Sequence, residues 1–418
     1  MHGAGIKSKR YLYVRLFPVL VALLILSPGS SRAGNGFVST KGKEIISPDG
    51  KPLLLRGVNL GNWLEPEGYM FKFKEANSPR LIYEVFNELV GPEKADEFWT
   101  AYRRNYITGK DIEFIKSTGL NSVRVPFDYR LFVREGNPDV WDSTGFRYLD
   151  SVVTWCDHAG LWVILDMHCA PGGQTGDNID DSYGYPFLFE SERSQDLAVS
   201  LWRKIAERYR NDTAVIGYDL LNEPIAPYFN VDKLNPLLEP LYRKITAAIR
   251  QVDKNHLIIL GGAQWDTNFK IFGKPFDDKV VYTFHKYWSD TTQAVIQEYV
   301  NFRDTCDVPI WLGESGENRN GWIDSFRRLL ERNDIGWCFW PYKKLDAPTC
   351  IASIKMTKEY ESVIDFANSD RSTFEKIRKN RPSSGVVESA LEDYINNCTL
   401  SNCTINYGYL EALGLKVR

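Results

Sequence analysis

Two glutamates each follow a short apolar run, and they are the residues best suited to chemistry. Glu223 closes the run 218–222, and Glu314 closes the run 309–313. A carboxylate beside a buried strand is costly unless it is paired or reactive. Two carboxyl groups across one site can divide the work, because one attacks as an anion while the other protonates a leaving group. The alternatives are a helix cap for Glu223 and a structural ion pair with Arg124 for Glu314.

Short apolar runs alternate with amphipathic segments along most of the chain. Apolar spacings of three and four indicate helices, and continuous apolar runs indicate strands buried on both faces. Eight such parallel strands with helices between them predict a closed (β/α)₈ TIM barrel. The alternative is an open doubly wound sheet, but no Gly-x-Gly-x-x-Gly follows a strand, which disfavours nucleotide-binding versions. The candidate strands lie near residues 54–59, 120–126, 162–168, 215–221, 256–262, 280–286, 309–314 and 336–341.

The remaining segments are expected to decorate this barrel. Residues 37–56 predict an N-terminal β-hairpin around the turn sequence Ser47-Pro48-Asp49-Gly50. Residues 63–110 and 170–200 are expected to form elaborated loops and helices over the barrel. We expect one catalytic domain over residues 34–418, with a barrel core at about 53–370 and a C-terminal tail at 371–418.

The first 33 residues have the pattern of a secretory signal peptide. Four basic residues precede an apolar run over 16–26, and Ser31-Arg32-Ala33 is a small-x-small cleavage sequence. The apolar run is too short to span a bilayer comfortably, so stable membrane insertion after cleavage is not expected; an uncleaved anchor is the alternative. The sequence therefore predicts a secreted or periplasmic protein.

The net charge of the chain indicates which class of binding partner to expect. The formal net charge is −3, and removal of the five basic residues of segment 1–33 makes it −8. An acidic protein has no electrostatic reason to bind nucleic acid. A neutral oligosaccharide or polysaccharide is a better match. We expect a monomer.

Barrel enzymes carry their active site at the carboxyl ends of the strands. Polar and aromatic residues are far more frequent at these predicted strand ends than they would be at random. They are Asn59, Trp63, Arg124, His168, Asn222, Glu223, Gln264, Trp265, His285, Tyr287, Glu314 and Trp340.

Six short motifs stand at these strand ends. They are Arg56-Gly57-Val58-Asn59-Leu60-Gly61-Asn62-Trp63, Ser122-Val123-Arg124-Val125-Pro126, His168 with Pro171-Gly172, Asn222-Glu223-Pro224, Phe284-His285-Lys286-Tyr287 and Gly313-Glu314-Ser315. Each motif alone is weak, but together and in this order they resemble glycoside hydrolase family 5, over about residues 36–345.

The resemblance implies a retaining β-glycosidase, with Glu223 as general acid/base and Glu314 as nucleophile. Asn222 would hold the sugar 2-hydroxyl, and Arg124 would lie beneath Glu314. The other residues that the resemblance places in substrate binding or its support are His168, His285, Tyr287, Trp340, Trp63 and Glu65.

The expected substrate is a β-glucan. The segment from Asn59 to Pro66, with Glu65, resembles the opening of the exo-1,3-glucanases of the family. The linkage (1,3 or 1,4) and the exo or endo action stay open, and a mannanase or a carbohydrate-binding pseudoenzyme is the alternative. No metal or cofactor is expected, because a barrel metallohydrolase would show His-x-His where the first strand here reads Val58-Asn59-Leu60.

Overall fold

Eight parallel strands close into a barrel at the centre of the computed structural model, which describes Met1 and residues 36–134 and 137–416. The strands pair in chain order around the ring, and β8 pairs with β1 to close it. The predicted TIM barrel is confirmed. The strands are β1 Arg56–Asn59, β2 Ser122–Asp128, β3 Trp162–Cys169, β4 Val215–Asp219, β5 Leu257–Gly261, β6 Val280–His285, β7 Ile310–Gly316 and β8 Gly336–Trp340.

Apolar side chains cover both faces of these strands. The outer faces pack against the helices in one large core. A second, smaller core includes Ile164, Ile216 and Ile259 from three adjacent strands, together with Val38 and Ile45 from the N-terminal segment. Because alternate strand residues point inward, this second core fills the lower barrel and leaves the carboxyl ends for polar groups.

Helices surround the barrel and follow most of its strands. Several end at a glycine in the left-handed conformation, such as Gly119 and Gly160, from which the chain turns back into the next strand. The α-helices are Pro79–Val90, Pro92–Tyr106, Gly109–Thr118, Thr144–Ala159, Glu192–Tyr209, Val231–Arg250, Gln297–Cys306, Asn320–Arg332, Lys358–Ala367, Phe374–Asn380, Ser384–Asn397 and Tyr407–Ala412. Short 3₁₀ turns are Gly68–Phe71, Tyr129–Leu131, Asn178–Asp180, Phe187–Phe189, Phe269–Ile271, Gln293–Val295 and Leu400–Asn402.

The N-terminal hairpin pairs differently from the prediction. Ser39–Lys41 pairs antiparallel with Glu44–Ile46, so the hairpin turn lies at Gly42, which has a φ of 54°. The expected turn at 47–50 also forms, but the pairing across it is a single isolated β-bridge between Ile46 and Pro52. Both turns carry a glycine with positive φ, so local sequence alone does not decide which one the strands pair across.

The C-terminal tail is part of the barrel structure. Thr404–Ile405 pairs with Ala352–Ile354, which pairs with Lys343–Leu345 just after β8. The buried ammonium of Lys343 donates to Asp111 Oδ1 and to the carbonyls of Tyr106 and Cys398, at 2.6–2.9 Å. One side chain thus ties the tail to the helices before β2. A further small sheet pairs Val133–Arg134 with Asn137–Trp141.

Segment 1–33, predicted as a signal peptide, lies outside the described residues apart from Met1. Within the described part of the chain, every helix is too short or too polar to cross a membrane.

Candidate active site

A cleft of about 900 Å³ opens at the carboxyl ends of the strands. Eight of the strand-end residues named from the sequence line it, and so do several aromatic and acidic residues from the loops. The named ones are His168, Asn222, Glu223, Trp265, His285, Tyr287, Glu314 and Trp340, and the others include Glu67, Tyr69, Asp177, Trp288 and Glu317.

Glu223 and Glu314 face each other across this cleft. Glu223 follows β4 and Glu314 lies in β7, and a carboxylate oxygen of each lies within 4.8 Å of the other. Nδ1 of His285 lies 2.9 Å from Glu223 Oε1 and 3.7 Å from Glu314 Oε2. Retaining glycosidases hold their carboxyl groups about 5–5.5 Å apart, and inverting enzymes about 6.5–9.5 Å apart. The separation fits the retaining geometry.

The Arg124 guanidinium lies beneath the pair, fully buried, and organises the floor of the site. Its Nη1 donates to Glu314 Oε1 at 2.5 Å, and its Nε donates to Asp219 Oδ2 at 2.8 Å. Its Nη2 donates to Asn222 Oδ1 at 2.9 Å and lies 3.1 Å from Asp166. The planar fork of five N–H donors makes arginine suited to hold several acceptors at once.

The Glu314 carboxylate has a donor for each oxygen. Arg124 supplies one, and the Tyr287 hydroxyl donates to Oε2 at 3.0 Å. Burial, with the nearby charge of Glu314, holds the pKa of Tyr287 well above its ordinary value, so the phenol remains a donor. These two contacts fix the direction in which the carboxylate faces the cleft.

Asn222 is oriented by a closed set of hydrogen bonds. Arg124 donates to its Oδ1, so its Nδ2 is the donor that faces His168 Nε2 at 3.3 Å. The other ring nitrogen of His168 lies 2.8 Å from Asp166. Burial lowers the pKa of His168 to about 4, so the ring is neutral and carries its proton toward Asp166.

Glu223 has the environment of a group that exchanges protons. Its Oε1 lies 2.9 Å from Nδ1 of His285, and its backbone φ is 45°, in the left-handed region. Burial raises its pKa to about 7, although His168 and Arg124 act in the opposite direction. Burial lowers the pKa of His285 to about 3, so this imidazole is neutral. A carboxyl group with a pKa near 7 suits general acid/base work at neutral pH.

The long loop after β3 holds the backbone of Asn222 and Glu223 in place. Gln174 donates to the carbonyls of His168 and Asn222 at 2.7 and 2.8 Å, and Thr175 donates to the Glu223 carbonyl at 2.8 Å. The buried Asp180 caps this loop by accepting from the Thr175 backbone N–H at 2.6 Å. The loop therefore positions the strained residue Glu223.

Trp340, which the resemblance places in substrate binding or its support, lies at the end of β8 and lines the cleft. Its ring stacks on His168 with centroids 5.5 Å apart and planes 13° apart, and its indole N–H donates to the Tyr69 hydroxyl at 2.7 Å. Trp265 and Trp288, which follow β5 and β6, lie at the mouth of the cleft, and Trp288 is 74% exposed. These faces can stack on sugar rings.

The expectation that Trp63 binds substrate is wrong. Trp63 is only 1% exposed, its indole N–H donates to the Arg103 carbonyl at 2.8 Å, and its edge packs on Tyr148. The loop after β1 turns this side chain outward, toward the helix Pro92–Tyr106, so Trp63 is a core residue.

Glu65 is buried behind the cleft wall, where its Oε1 accepts the Asn62 backbone N–H at 3.1 Å. It supports the loop and does not line the cleft. Two residues later, Glu67 lines the cleft, and burial, with the charges of Glu314 and Glu223, raises its pKa well above the ordinary value. The sequence reasoning missed Glu67, and the repeated acid in Glu65-Pro66-Glu67 is the signal that could have found it.

A hydrogen-bonded wall stands beside Trp340. The Tyr69 hydroxyl, which receives the Trp340 N–H, donates to Glu317 at 3.2 Å, and Lys344 donates to both Glu317 oxygens at 2.5 and 2.6 Å. The Lys344 ammonium also lies 5.2 Å from the Tyr69 ring centroid. We call Glu67, Tyr69, Glu317 and Lys344 the side wall.

Two sets of side chains bring carboxylates and a histidine close enough to share a cation, Glu65 with Glu67 and His168, and Glu223 with His285 and Glu314. Both nitrogens of His168 already face hydrogen-bond partners, and Nδ1 of His285 faces Glu223. The histidines are therefore arranged for hydrogen bonding rather than for coordination.

The chain matches the family model "Cellulase (glycosyl hydrolase family 5)" over residues 92–346. It therefore belongs to glycosyl hydrolase family 5 and is a glycoside hydrolase, as the strand-end motifs predict.

Its relatives carry several activities in their names. A beta-xylosidase of Phanerodontia chrysosporium is 29% identical and covers 74% of this chain and 71% of the relative. Endoglucanase C of Acetivibrio thermocellus is 28% identical, and the match covers 69% of this chain and 91% of that relative. A glucan 1,3-beta-glucosidase of Lachancea kluyveri is 28% identical, and the match covers 66% of this chain and 65% of that relative. The crystal structure of an endogalactoceramidase shares the fold, with a TM-score of 0.60 at 17% identity over 90% of this chain and 84% of that one.

Proposed function

We propose that the protein hydrolyses a β-glucan with retention of configuration, with Glu314 as the nucleophile and Glu223 as the general acid/base. The observation that carries this proposal is the pair of carboxylates whose oxygens lie within 4.8 Å across the cleft. Their surroundings differ in the way that the two roles require.

The first step forms a glycosyl-enzyme. Glu314, held by Arg124 and Tyr287, attacks the anomeric carbon while the protonated Glu223 donates its proton to the departing glycosidic oxygen. Asn222 faces the same space and would hold the sugar 2-hydroxyl, a contact that strengthens as the transition state forms. Trp340 would support the sugar ring by stacking.

The second step releases the sugar. Glu223, now a carboxylate, removes a proton from a water molecule that attacks the anomeric carbon, and Glu314 leaves. A pKa of about 7 serves both steps, because Glu223 must be an acid in one and a base in the other.

Azide tests both assignments in one experiment. With a 2,4-dinitrophenyl β-glucoside, Glu314→Ala in azide is expected to give the glycosyl azide of inverted configuration, because azide occupies the space of the lost nucleophile. Glu223→Ala is expected to give the azide of retained configuration, because azide then replaces water on the glycosyl-enzyme. Product stereochemistry is read by NMR. Exchanged stereochemistry would reverse the roles, and an unrescued, folded variant would contradict its role.

The substrate class is a β-glucan, and relatives named as endoglucanase and glucan 1,3-beta-glucosidase support it. The side wall favours action at chain ends. It adds two carboxylates and a hydrogen-bonded tyrosine beside Trp340 in the lining of the cleft, and we infer that these groups close that side of the cleft to a longer chain.

A timed digest of laminarin and of cellulose oligomers tests the mode of action and the linkage. We expect monosaccharide as the early product. A ladder of oligosaccharides would show endo action and remove the proposed role of the side wall, whereas release from mannan alone would contradict the glucan assignment. Sugar binding without hydrolysis would favour the pseudoenzyme.

We also propose that the protein is secreted after cleavage behind Ala33. The basic, apolar and small-residue pattern of segment 1–33 supports this. Expression in a secreting host is expected to give a mature chain that begins at Gly34, as read by N-terminal sequencing. An intact segment on membrane-bound protein would show the uncleaved anchor instead.

A further inference from the structure

A buried aspartate lies behind the proposed acid/base and outside the lining of the cleft. Asp266 follows β5 and is fully buried. Its Oδ2 lies 3.3 Å from Nε2 of His285 and 3.4 Å from the backbone nitrogen of Glu223. The same imidazole presents its Nδ1 to Glu223 Oε1 at 2.9 Å. The Asp266 carboxyl group therefore contacts the backbone nitrogen of Glu223 directly and reaches the Glu223 side chain through the ring of His285.

The turn that carries Asp266 is strained. Gln264, Trp265 and Asp266 have φ values of 53°, 59° and 59°, three consecutive L-residues in the left-handed region. Such residues are strained and persist only where the surroundings hold them. A Cβ on Gly261 would lie 2.0 Å from Asp266 Oδ1, so the end of β5 has room for this carboxyl group only because a glycine stands there.

The protonation of His285 has to suit both catalytic steps. The ring is neutral and has one proton, which can lie on either nitrogen. With the proton on Nδ1, the ring donates to Glu223 Oε1 whether Glu223 is an acid or a carboxylate, and the second Glu223 oxygen is left for the glycosidic oxygen or water. With the proton on Nε2, the lone pair on Nδ1 would draw the acid proton of Glu223 away from the cleft.

The useful tautomer needs a donor at Nε2, and Asp266 is the group placed to supply it. Among the described residues, Nε2 of His285 has no well-aligned hydrogen-bond partner, and Asp266 Oδ2 lies 3.3 Å from it. The charged groups near Asp266 are Asp219, Glu223 and Arg124. Burial and the first two of these raise the pKa of Asp266 well above its ordinary value, which matches a carboxyl group that keeps its proton.

We propose that Asp266 is a positioning residue that stays a neutral carboxylic acid, donates its proton in a hydrogen bond to Nε2 of His285, and so fixes the tautomer whose Nδ1–H holds Glu223. This inference rests on the proposed role of Glu223. Asp266 does not touch the sugar, and its whole effect passes through His285.

Leaving-group dependence distinguishes this role from a merely structural one. For Asp266→Ala we expect kcat/KM on phenyl β-glucoside to fall about 100-fold, within the range of general acid catalysis. On the 2,4-dinitrophenyl glucoside, whose leaving group needs no proton, the fall should be only a few-fold. Asp266→Asn keeps a neutral donor for Nε2 of His285, although an amide nitrogen in place of Oδ2 does not accept from the Glu223 backbone N–H, so it should restore part of the activity lost on phenyl β-glucoside. Equal losses on both substrates in Asp266→Ala would overturn the proposal.

The tautomer can also be observed directly. The chain has five histidines, so ¹⁵N NMR of labelled imidazoles can assign the His285 ring by its loss in His285→Gln. We expect Nδ1 to be protonated in the wild-type protein and in Asp266→Asn. Protonation at Nε2 in the wild type would show an ionised, accepting Asp266 and refute the inference.

The control is Glu223→Ala on the same two substrates. If that variant lacks leaving-group dependence, the acid/base assignment itself fails. If it has the dependence and Asp266→Ala does not, only the role of Asp266 fails.

Discussion

At the scale of single residues, the proposed mechanism divides one reaction between two glutamates that have different neighbours. Glu314 receives donors on both oxygens, whereas Glu223 meets a neutral imidazole in a buried pocket. These surroundings are those that the proposed roles require, an anion at Glu314 and a proton carrier at Glu223.

The pKa of Glu223 predicts a basic limb in the pH profile. Glu223 must be protonated to act as an acid, so kcat/KM on phenyl β-glucoside should fall as the pH rises through about 7. The dinitrophenyl glucoside should lose this limb, because its departure needs no proton. Profiles over pH 4–9 for both substrates check it, and an identical basic limb for the two would contradict the assignment.

Removal of the Tyr287 hydroxyl tests how much the orientation of Glu314 contributes to the rate. Tyr287→Phe removes the donor at 3.0 Å and should lower kcat by about 100-fold, the size of effect seen when one preorganised donor is lost. Tyr185→Phe is the matched control, because its hydroxyl bonds Glu190 in a loop and does not line the cleft. A Tyr287→Phe enzyme as active as the control would show that Arg124 alone holds Glu314.

The sequence could indicate residues that end a strand, because a strand end has a known position in the barrel. Glu223, Glu314 and Trp340 follow this rule, whereas Arg124 is the third residue of β2 and lies beneath them. Side chains on loops do not, since their direction depends on turns that the sequence leaves undetermined. For this reason Trp63 was expected in the cleft and lies in the core, whereas Asp266 was not identified at all.

At the scale of elements, the strands were predictable and their connections less so. All eight barrel strands lie within about two residues of their predicted positions, because most of them are short apolar runs bounded by polar residues. The hairpin turn at Gly42 was missed, since Pro48-Asp49-Gly50 is the stronger local turn sequence.

A substitution at Gly61, in the loop after β1, tests how closely this loop must approach Trp340, the proposed sugar platform. A Cβ on Gly61 would lie 2.3 Å from the Trp340 ring, so Gly61→Ala should displace that ring. Because small misplacements in an active site can cost up to about 100-fold, we expect at least a tenfold loss in kcat/KM. Gly321→Ala has open space around its Cβ in the helix Asn320–Arg332 and is the control. Equal activity of the two variants would show that Trp340 is not a close-fitting platform.

At the scale of the whole molecule, the site lowers the stability of the barrel that holds it. Asp166, Asp219 and Glu223 all have pKa values raised to about 7 by burial, near a single buried arginine. A carboxyl group with a raised pKa contributes stability below its unfolded pKa, and that contribution is lost as the pH rises through the folded pKa.

Replacing Glu223 with a neutral side chain should therefore stabilise the protein at alkaline pH. A pKa of about 7 in place of 4.5 corresponds to about 3 kcal/mol at pH 8 or above. We expect Glu223→Gln to melt at a higher temperature than the wild type at pH 8 and at nearly the same temperature at pH 4. Thermal unfolding across this range measures the effect, and an equal difference at both pH values would refute it.

The anchoring of Lys343 has a consequence for how the chain is made. One of its three partners is the carbonyl of Cys398, and the sheet beside it takes its last strand from Thr404–Ile405. Until the chain has been synthesised past Cys398, the buried ammonium has Asp111 and the Tyr106 carbonyl but lacks its third acceptor. Synthesis of the segment 398–405, rather than of the eighth strand, is thus the moment at which this part of the structure can finish folding.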